Sequence, residues 1–224
     1  MKQMTIPPAT RQQATEIIQK IIDSMNENCH TKEILAISCY PLKILNSLSP
    51  IISQICNCLL IDAHISVITT TNFLLERTLK LALIINDGNG KTYSENGKIE
   101  NVFKKETIKF DKLDLSETIK TACEHKLITP EKEVELNKYR KNFRNAFSHA
   151  EYTRVFKGTK IQAVIGHLSS PNITQTEMVS IASTPLFQGP AISAFCKKNA
   201  FPYFTSVFEL ICLLDKNLYH LYRK

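Results

Sequence analysis

The sequence predicts a mostly α-helical bundle of one domain, with a small β-hairpin inserted between two of its helices. Three observations carry that expectation. Long stretches repeat apolar residues at spacings of three and four, the period of a helix with one buried face. Helix-start chemistry stands before one such stretch, at Thr129-Pro130-Glu131. Alternating and β-branched runs are confined to one short segment after residue 158. The 224 residues are 43% hydrophobic and 22% charged, enough for one sizeable core. The core helices are expected over about 11–153 and 200–222, with an insertion over about 154–190.

Residues 11–28 read as a first helix, with Ile17, Ile18, Ile21, Ile22 and Met25 on one face. A second helical stretch, about 31–60, must be broken or kinked by Pro41 and Pro50. The nearly continuous apolar run Ile51 to Ile61 predicts deep core. Residues 62–86 predict the clearest buried helix, carrying Ile65, Ile68, Phe73, Leu74, Leu79, Leu81, Leu83 and Ile84. Within it, Glu76 and Lys80 are four apart and suit a solvated intrahelical pair. The alternative is a buried carboxylate holding an arginine of another helix. Asn86 to Gly90 ends this helix with turn residues. Ser116 is placed as N-cap of a short helix over 117–126. Thr129 caps the next, Pro130 takes its first position, and Glu131 complements its dipole. That helix runs to about Tyr152 with an apolar stripe of Leu136, Tyr139, Phe143, Phe147 and Ala150. Strands are expected within 159–168 and 177–184, separated by Gly166 and a turn at Ser169-Ser170-Pro171-Asn172. A last helix spans about 200–222.

Composition narrows the function. A net charge of +7 with a pI near 9.0 suits polyanionic partners such as RNA. Seven irregularly spaced cysteines, without a CxxC pair, predict reduced thiols rather than a disulfide framework or a zinc site. No metal or cofactor is expected. The N-terminus lacks the apolar core of a secretory signal and no stretch of about 20 apolar residues occurs, so a cytoplasmic protein without a membrane partner is expected. The Gly88-Asn89-Gly90 turn follows a helix rather than a strand, so it is no phosphate-cradling loop. His30, His64, His125, His167 and His220 have no partners in sequence and read as structural or exposed. The lysines of 104–112 read as a solvated face.

The segment Arg144-Asn145-Ala146-Phe147-Ser148-His149 stands apart. Cleaving RNA without a metal uses its own 2′-OH as nucleophile. A base takes that proton, an acid protonates the leaving 5′ oxygen, and a cation holds the charge on phosphorus. Arg144 suits the bidentate phosphate clamp, and His149 titrates near neutrality. Asn145 is placed to orient the imidazole or the phosphate. One histidine cannot be acid and base in one step, but two across a two-fold dimer axis can. Asn142, Asn145, His149 and Tyr152 share a helix face, whereas Arg144 lies about 140° away from His149 on a straight helix. Arg144 must therefore reach round, the helix must distort, or the two groups must meet those of another chain. Lys138, Arg140 and Lys141 suit a backbone-binding strip beside the site, and a solvated helix face is the competing account.

The wider segment, Leu127 to Glu131, Tyr139-Arg140 and Arg144 to Ala150, resembles the signature helix of the HEPN superfamily, helical bundles marked by an arginine, four to six residues and a histidine. Leu75-Glu76-Arg77 is similar to the second core helix of such domains. The resemblance covers roughly 62–153. It implies a metal-independent endoribonuclease, active as a homodimer with the site at the two-fold interface, in phage defence by abortive infection or as a toxin. Arg144 and His149 become the catalytic pair and Asn145 their polar support, with Asn142, Ser148 and Tyr152 alongside. An antitoxin or regulatory protein is an implied partner. One subset has a tyrosine two residues after the histidine. Here Glu151 stands there and the tyrosine is Tyr152, a departure from the form that a nucleotidyltransferase modifies. Members without catalysis imply the alternative, an RNA- or nucleotide-binding or dimerisation module.

Overall fold

The computed structural model describes residues 11–91, 102–148, 152–167 and 170–222. Helix α1 spans Arg11–Glu27, α2 Thr31–Ser38, α3 Ser49–Leu60, α4 His64–Gly88, α5 Lys104–Asp111, α6 Leu115–Glu124 and α7 Pro130–Tyr139. A π-helical segment, Arg140–Asn145, continues α7 into one α-turn, α8, at Ala146–Ser148. After α9 (Tyr152–Val155) come strands β1 (Lys160–His167) and β2 (Ser170–Ser180), then α10 (Pro185–Tyr219). The expected mostly helical fold with a hairpin between helices is therefore observed.

The core is built on α4 and α10, which pack along each other, with α3, α5 and α6 against α4. Leu74, Leu75, Leu79, Ala82 and Leu83 of α4 meet Phe204, Val207, Ile211 and Leu214 of α10 in one buried cluster. Burying side chains of this size contributes about 1.5–3 kcal/mol each. Two polar contacts fix this core. Tyr203 Oη donates to Asn72 Oδ1 at 2.9 Å, joining α10 to α4. Asp215, also buried, accepts the backbone amides of Lys43, Ile44 and Leu45 at 3.0, 2.8 and 2.7 Å. That carboxylate holds the irregular chain between α2 and α3 against the last helix.

Several elements differ from the sequence expectation, each for a local reason. The 31–60 stretch is two helices, and Pro50 lies in the first turn of α3, where its missing N–H costs nothing. The cap of α6 is Asp114 rather than Ser116. Asp114 Oδ1 accepts from Glu117 N at 2.8 Å while Glu117 Oε2 accepts from Asp114 N at 3.1 Å, a reciprocal capping box. The last helix starts at Pro185, fifteen residues before the expected 200, and passes through Pro190 and Pro202. Burial of Ile192, Cys196, Ala200, Tyr203 and Phe204 along that stretch offsets the cost of about 3 kcal/mol for an interior proline. The expected insertion at 154–190 thus includes the first turn of α10. The residues expected to turn at Ser170 to Asn172 belong to β2, which ends at Ser180. The antiparallel register runs from Lys160 opposite Ser180 to Gly166 opposite Thr174, with an irregularity between Gly166 and His167.

Burial also corrects the sequence reading. Ile18, Ile21, Ile22 and Met25 of α1 are exposed, and α1 contributes nothing to the core cluster among the described residues. Ile61, Ile65 and Phe73, expected inside, lie on the surface. Glu76 and Lys80 form the intrahelical pair at 3.0 Å, and the Lys80 ammonium also donates to the Asp111 carbonyl. All seven cysteines are free, with Cys56 and Cys196 buried and Cys29 and Cys39 exposed. Burial pushes the Cys56 and Cys196 thiols up to about 11, which makes them inert. No helix among the described residues is long and apolar enough to cross a membrane.

Candidate functional site

The motif helix begins as its residues dictate. Thr129 Oγ1 accepts from Lys132 N at 3.3 Å, Pro130 opens the first turn, and Glu131 sits where the helix dipole favours a carboxylate. The Glu131 carboxyl is held below its usual range by backbone amide donation, with Thr129 adding to it. One turn on, a polar cluster ties the helix to α10. Lys132 Nζ donates to Glu135 Oε2 at 2.8 Å and Ser206 Oγ to Glu135 Oε1 at 3.0 Å. Burial opposes the Glu135 charge, but the bonds from Lys132 and Ser206 outweigh it and keep the carboxyl below its ordinary range.

Beyond this cluster, aromatic rings replace polar bonds. Phe143 stacks on Tyr203 with ring centres 4.4 Å apart, and Tyr139 lies 5.0 Å from the same ring. Phe147 stacks on Phe195 at 6.2 Å. Leu136, Phe143 and Ala146 are buried, so the expected apolar stripe is present as far as Phe147. Ala146, absent from that stripe, is buried as well. Ala150 lies outside the described residues.

The helix distorts where the cationic residues lie. Arg140 to Asn145 forms a π-helix, whose i→i+5 bonding accommodates an extra residue per turn. A straight helix to Tyr152 is thereby corrected; which of the three options brings Arg144 to His149 depends on residues outside the described ones. With Phe143 and Ala146 inward, Arg144 and Asn145 are half-buried, and Lys138, Lys141 and Asn142 are exposed. Arg140 is drawn back along its own helix, where its Nε donates to Asn137 Oδ1 at 3.1 Å. The strip therefore divides, with Lys138 and Lys141 presented to solvent and Arg140 tied locally. His149 lies outside the described residues, as do the side chains of Ser148 and Tyr152. The structure thus places Arg144, Asn145 and the basic strip but not the second half of the predicted pair.

A groove of about 670 Å³ follows the motif, between the base of the hairpin and α10, walled by Phe156, Ile161, Ile181, Phe187 and Phe195. Sequence reasoning missed the supports on α10. Phe195, Tyr203 and Ser206 lie more than 45 positions beyond Arg144 and carry no local sign of the contact. Among the described residues no group of three or more histidines, cysteines or carboxylates is arranged to hold a metal. No family model, curated protein or solved structure matches the chain.

Proposed function

We propose that this chain is a metal-independent endoribonuclease of the HEPN type, acting as a homodimer in phage defence or as a toxin. The observation that carries the reading is Arg144, half-buried on a π-distorted turn beside exposed Lys138 and Lys141, five positions before His149. In the proposed dimer the two copies of Arg144 and His149 face each other across the two-fold axis. One imidazole takes the proton of the ribose 2′-OH, and O2′ attacks phosphorus. The P–O5′ bond breaks, and the other imidazolium, that of the partner subunit's His149, gives its proton to O5′. The products are a 2′,3′-cyclic phosphate and a 5′-hydroxyl. Arg144 holds the charge that builds on the non-bridging oxygens. Asn145, on the same turn, supports the phosphate or the imidazole, and the exposed lysines track the backbone.

The test is cleavage of total cellular RNA by purified protein in EDTA, beside His149→Ala. Cyclic-phosphate ends made by the wild type alone are the expected result. Activity that disappears in EDTA would refute the metal-free mechanism. A second reading, an RNA-binding module without catalysis, is favoured by the exposure of Lys138 and Lys141, which needs no histidine. It predicts salt-dependent binding without new RNA ends. Deletion of the hairpin separates two roles for the insertion: altered cleavage preference marks a selector, and loss of the dimer marks an interface.

A further inference from the structure

A second cleft lies away from the motif helix. Three separate parts of the chain enclose about 350 Å³: the turn before α2, the turn between α3 and α4, and Lys197 and Lys198 on α10. The turn between α3 and α4 is tight because Asp62 adopts the left-handed conformation, φ 56°, which places Asp62 and His64 together at the first turn of α4. Such a conformation is uncommon for a residue with a side chain.

The polar equipment of this cleft is unbalanced. The His30 ring lies flat on Phe201, centres 3.9 Å apart and 16° from parallel. Its Nδ1 meets Glu33 Oε2 at 3.0 Å, so Nε2 is the nitrogen left to serve a ligand. His64 is mostly buried and neither of its ring nitrogens has a hydrogen-bond partner. Asp62 Oδ1 lies 3.3 Å from His64 Nε2 but outside hydrogen-bond geometry. Burial holds the His64 imidazole below its ordinary range, with Asp62 opposing that shift and Lys197 adding to it. Two ammonium groups, two imidazoles and one half-exposed carboxylate thus share a small volume. The start of α4, a 25-residue helix, has Ala63 at its cap position and no side-chain cap, so the partial positive charge of that end adds to the excess.

We propose that this cleft binds the phosphomonoester group of a small phosphorylated ligand, with Lys197, Lys198 and His30 as its contacts. Against the single Asp62 carboxylate the two ammonium groups leave the cleft net positive, which favours a phosphate group. Its oxygens accept from His30 and from the two lysine ammonium groups. His64 lines the wall behind the phosphate and responds to its charge. The cleft is half open, and its volume of about 350 Å³ is of a size for a small ligand. A phosphodiester carries two substituents, and it meets this volume less well.

The proposal is tested by NMR titration of the full chain, following the imidazole C2–H signals of His30 and His64. The probes are inorganic phosphate, glucose 6-phosphate, dimethyl phosphate and a short RNA oligomer without terminal phosphate. Saturable shifts with the first two, and a rise in the His64 titration point, are expected. The Lys197→Gln/Lys198→Gln variant is expected to weaken binding by roughly tenfold or more, since it removes both counter-charges. Both lysines are exposed, so the variant keeps its fold. His30→Gln, expected to weaken binding less, supplies an independent check at a third contact. No saturation with either monoester would overturn the assignment, as would binding unchanged in the double variant. Tighter binding of dimethyl phosphate or the oligomer would overturn it in favour of a polymer backbone. None of these readouts depends on RNA cleavage.

Discussion

The motif helix and the cleft beside α4 present cationic and titratable groups in opposite ways. On the motif helix they are neighbours in sequence, spread along a surface and paired locally, as Arg140 is with Asn137. In the cleft they come from positions 30, 64, 197 and 198 and converge on one enclosed space. The first arrangement is legible in the chain but is a strip, which needs a partner surface to become a site. The second is invisible in the chain but is a concavity in the single subunit. A motif found by spacing reports chemistry that a helix displays. A cluster assembled by tertiary packing reports chemistry that a fold encloses.

The largest effect that sharpens this comparison is on cleavage. His149→Ala and Arg144→Ala are each expected to lower RNA cleavage by about 10²–10⁴-fold, with the circular-dichroism melting curve unchanged. Arg144→Lys keeps the charge but loses the bidentate fork, and it is expected to recover only part of the rate. Lys197→Gln/Lys198→Gln is expected to leave cleavage intact while weakening phosphate binding by roughly tenfold or more. Equal loss of both activities in either set would collapse the two regions into one site.

The next effect concerns the scaffold. Asp215→Ala removes the acceptor of three backbone amides and is expected to destabilise the chain by about 3–5 kcal/mol in chemical denaturation. A loss under about 1 kcal/mol would mean that water replaces the carboxylate without cost. Tyr203→Phe should cost less, about 1–3 kcal/mol, because it leaves the buried Asn72 oxygen without its donor and keeps the ring stack on Phe143. If the aromatic stack positions the π-turn, Tyr203→Ala lowers cleavage beyond its effect on stability, whereas Tyr203→Phe does not.

What the sequence disclosed divides along the same line. Thr129, Pro130 and the stripe from Leu136 to Phe147 were readable because a helix start and a helix face are local patterns. The hairpin's existence and its first strand were read from the β-branched runs, but its second strand starts seven residues earlier than expected and stops at Ser180, which also moves the turn. The capping box at Asp114 was missed because Ser116 offered an equally good cap two residues later, and Leu115 gave no sign of lying inside the helix. The early start of α10 was missed because Pro190 and Pro202 are breakers by propensity, and only burial against α4 overrides them. The exposed face of α1 shows the converse, an amphipathic pattern with no core partner among the described residues. Asp215 and the amides it holds are about 170 positions apart, beyond any periodicity. The π-turn had a partial sign: Arg144 and His149 sit on different faces of a straight helix, which made distortion one of three geometric options.

The smallest effect tests the root of the motif helix. Glu135 has a folded titration point below its unfolded one, because Lys132 and Ser206 together outweigh its burial. Between the two points the unfolded chain binds more protons, so stability rises with pH there. The contribution is fully present above the unfolded value and is lost as the pH falls through the folded one. Ser206→Ala removes one of the two donors and brings the folded point up toward the unfolded one. The wild type is therefore expected to be the more stable of the two above the ordinary carboxylate range, with the gap shrinking as acid protonates Glu135 in both. A gap that stays constant down to low pH would assign Ser206 to packing alone. It would also leave the aromatic stack, rather than this polar cluster, as the link that carries the motif helix on α10.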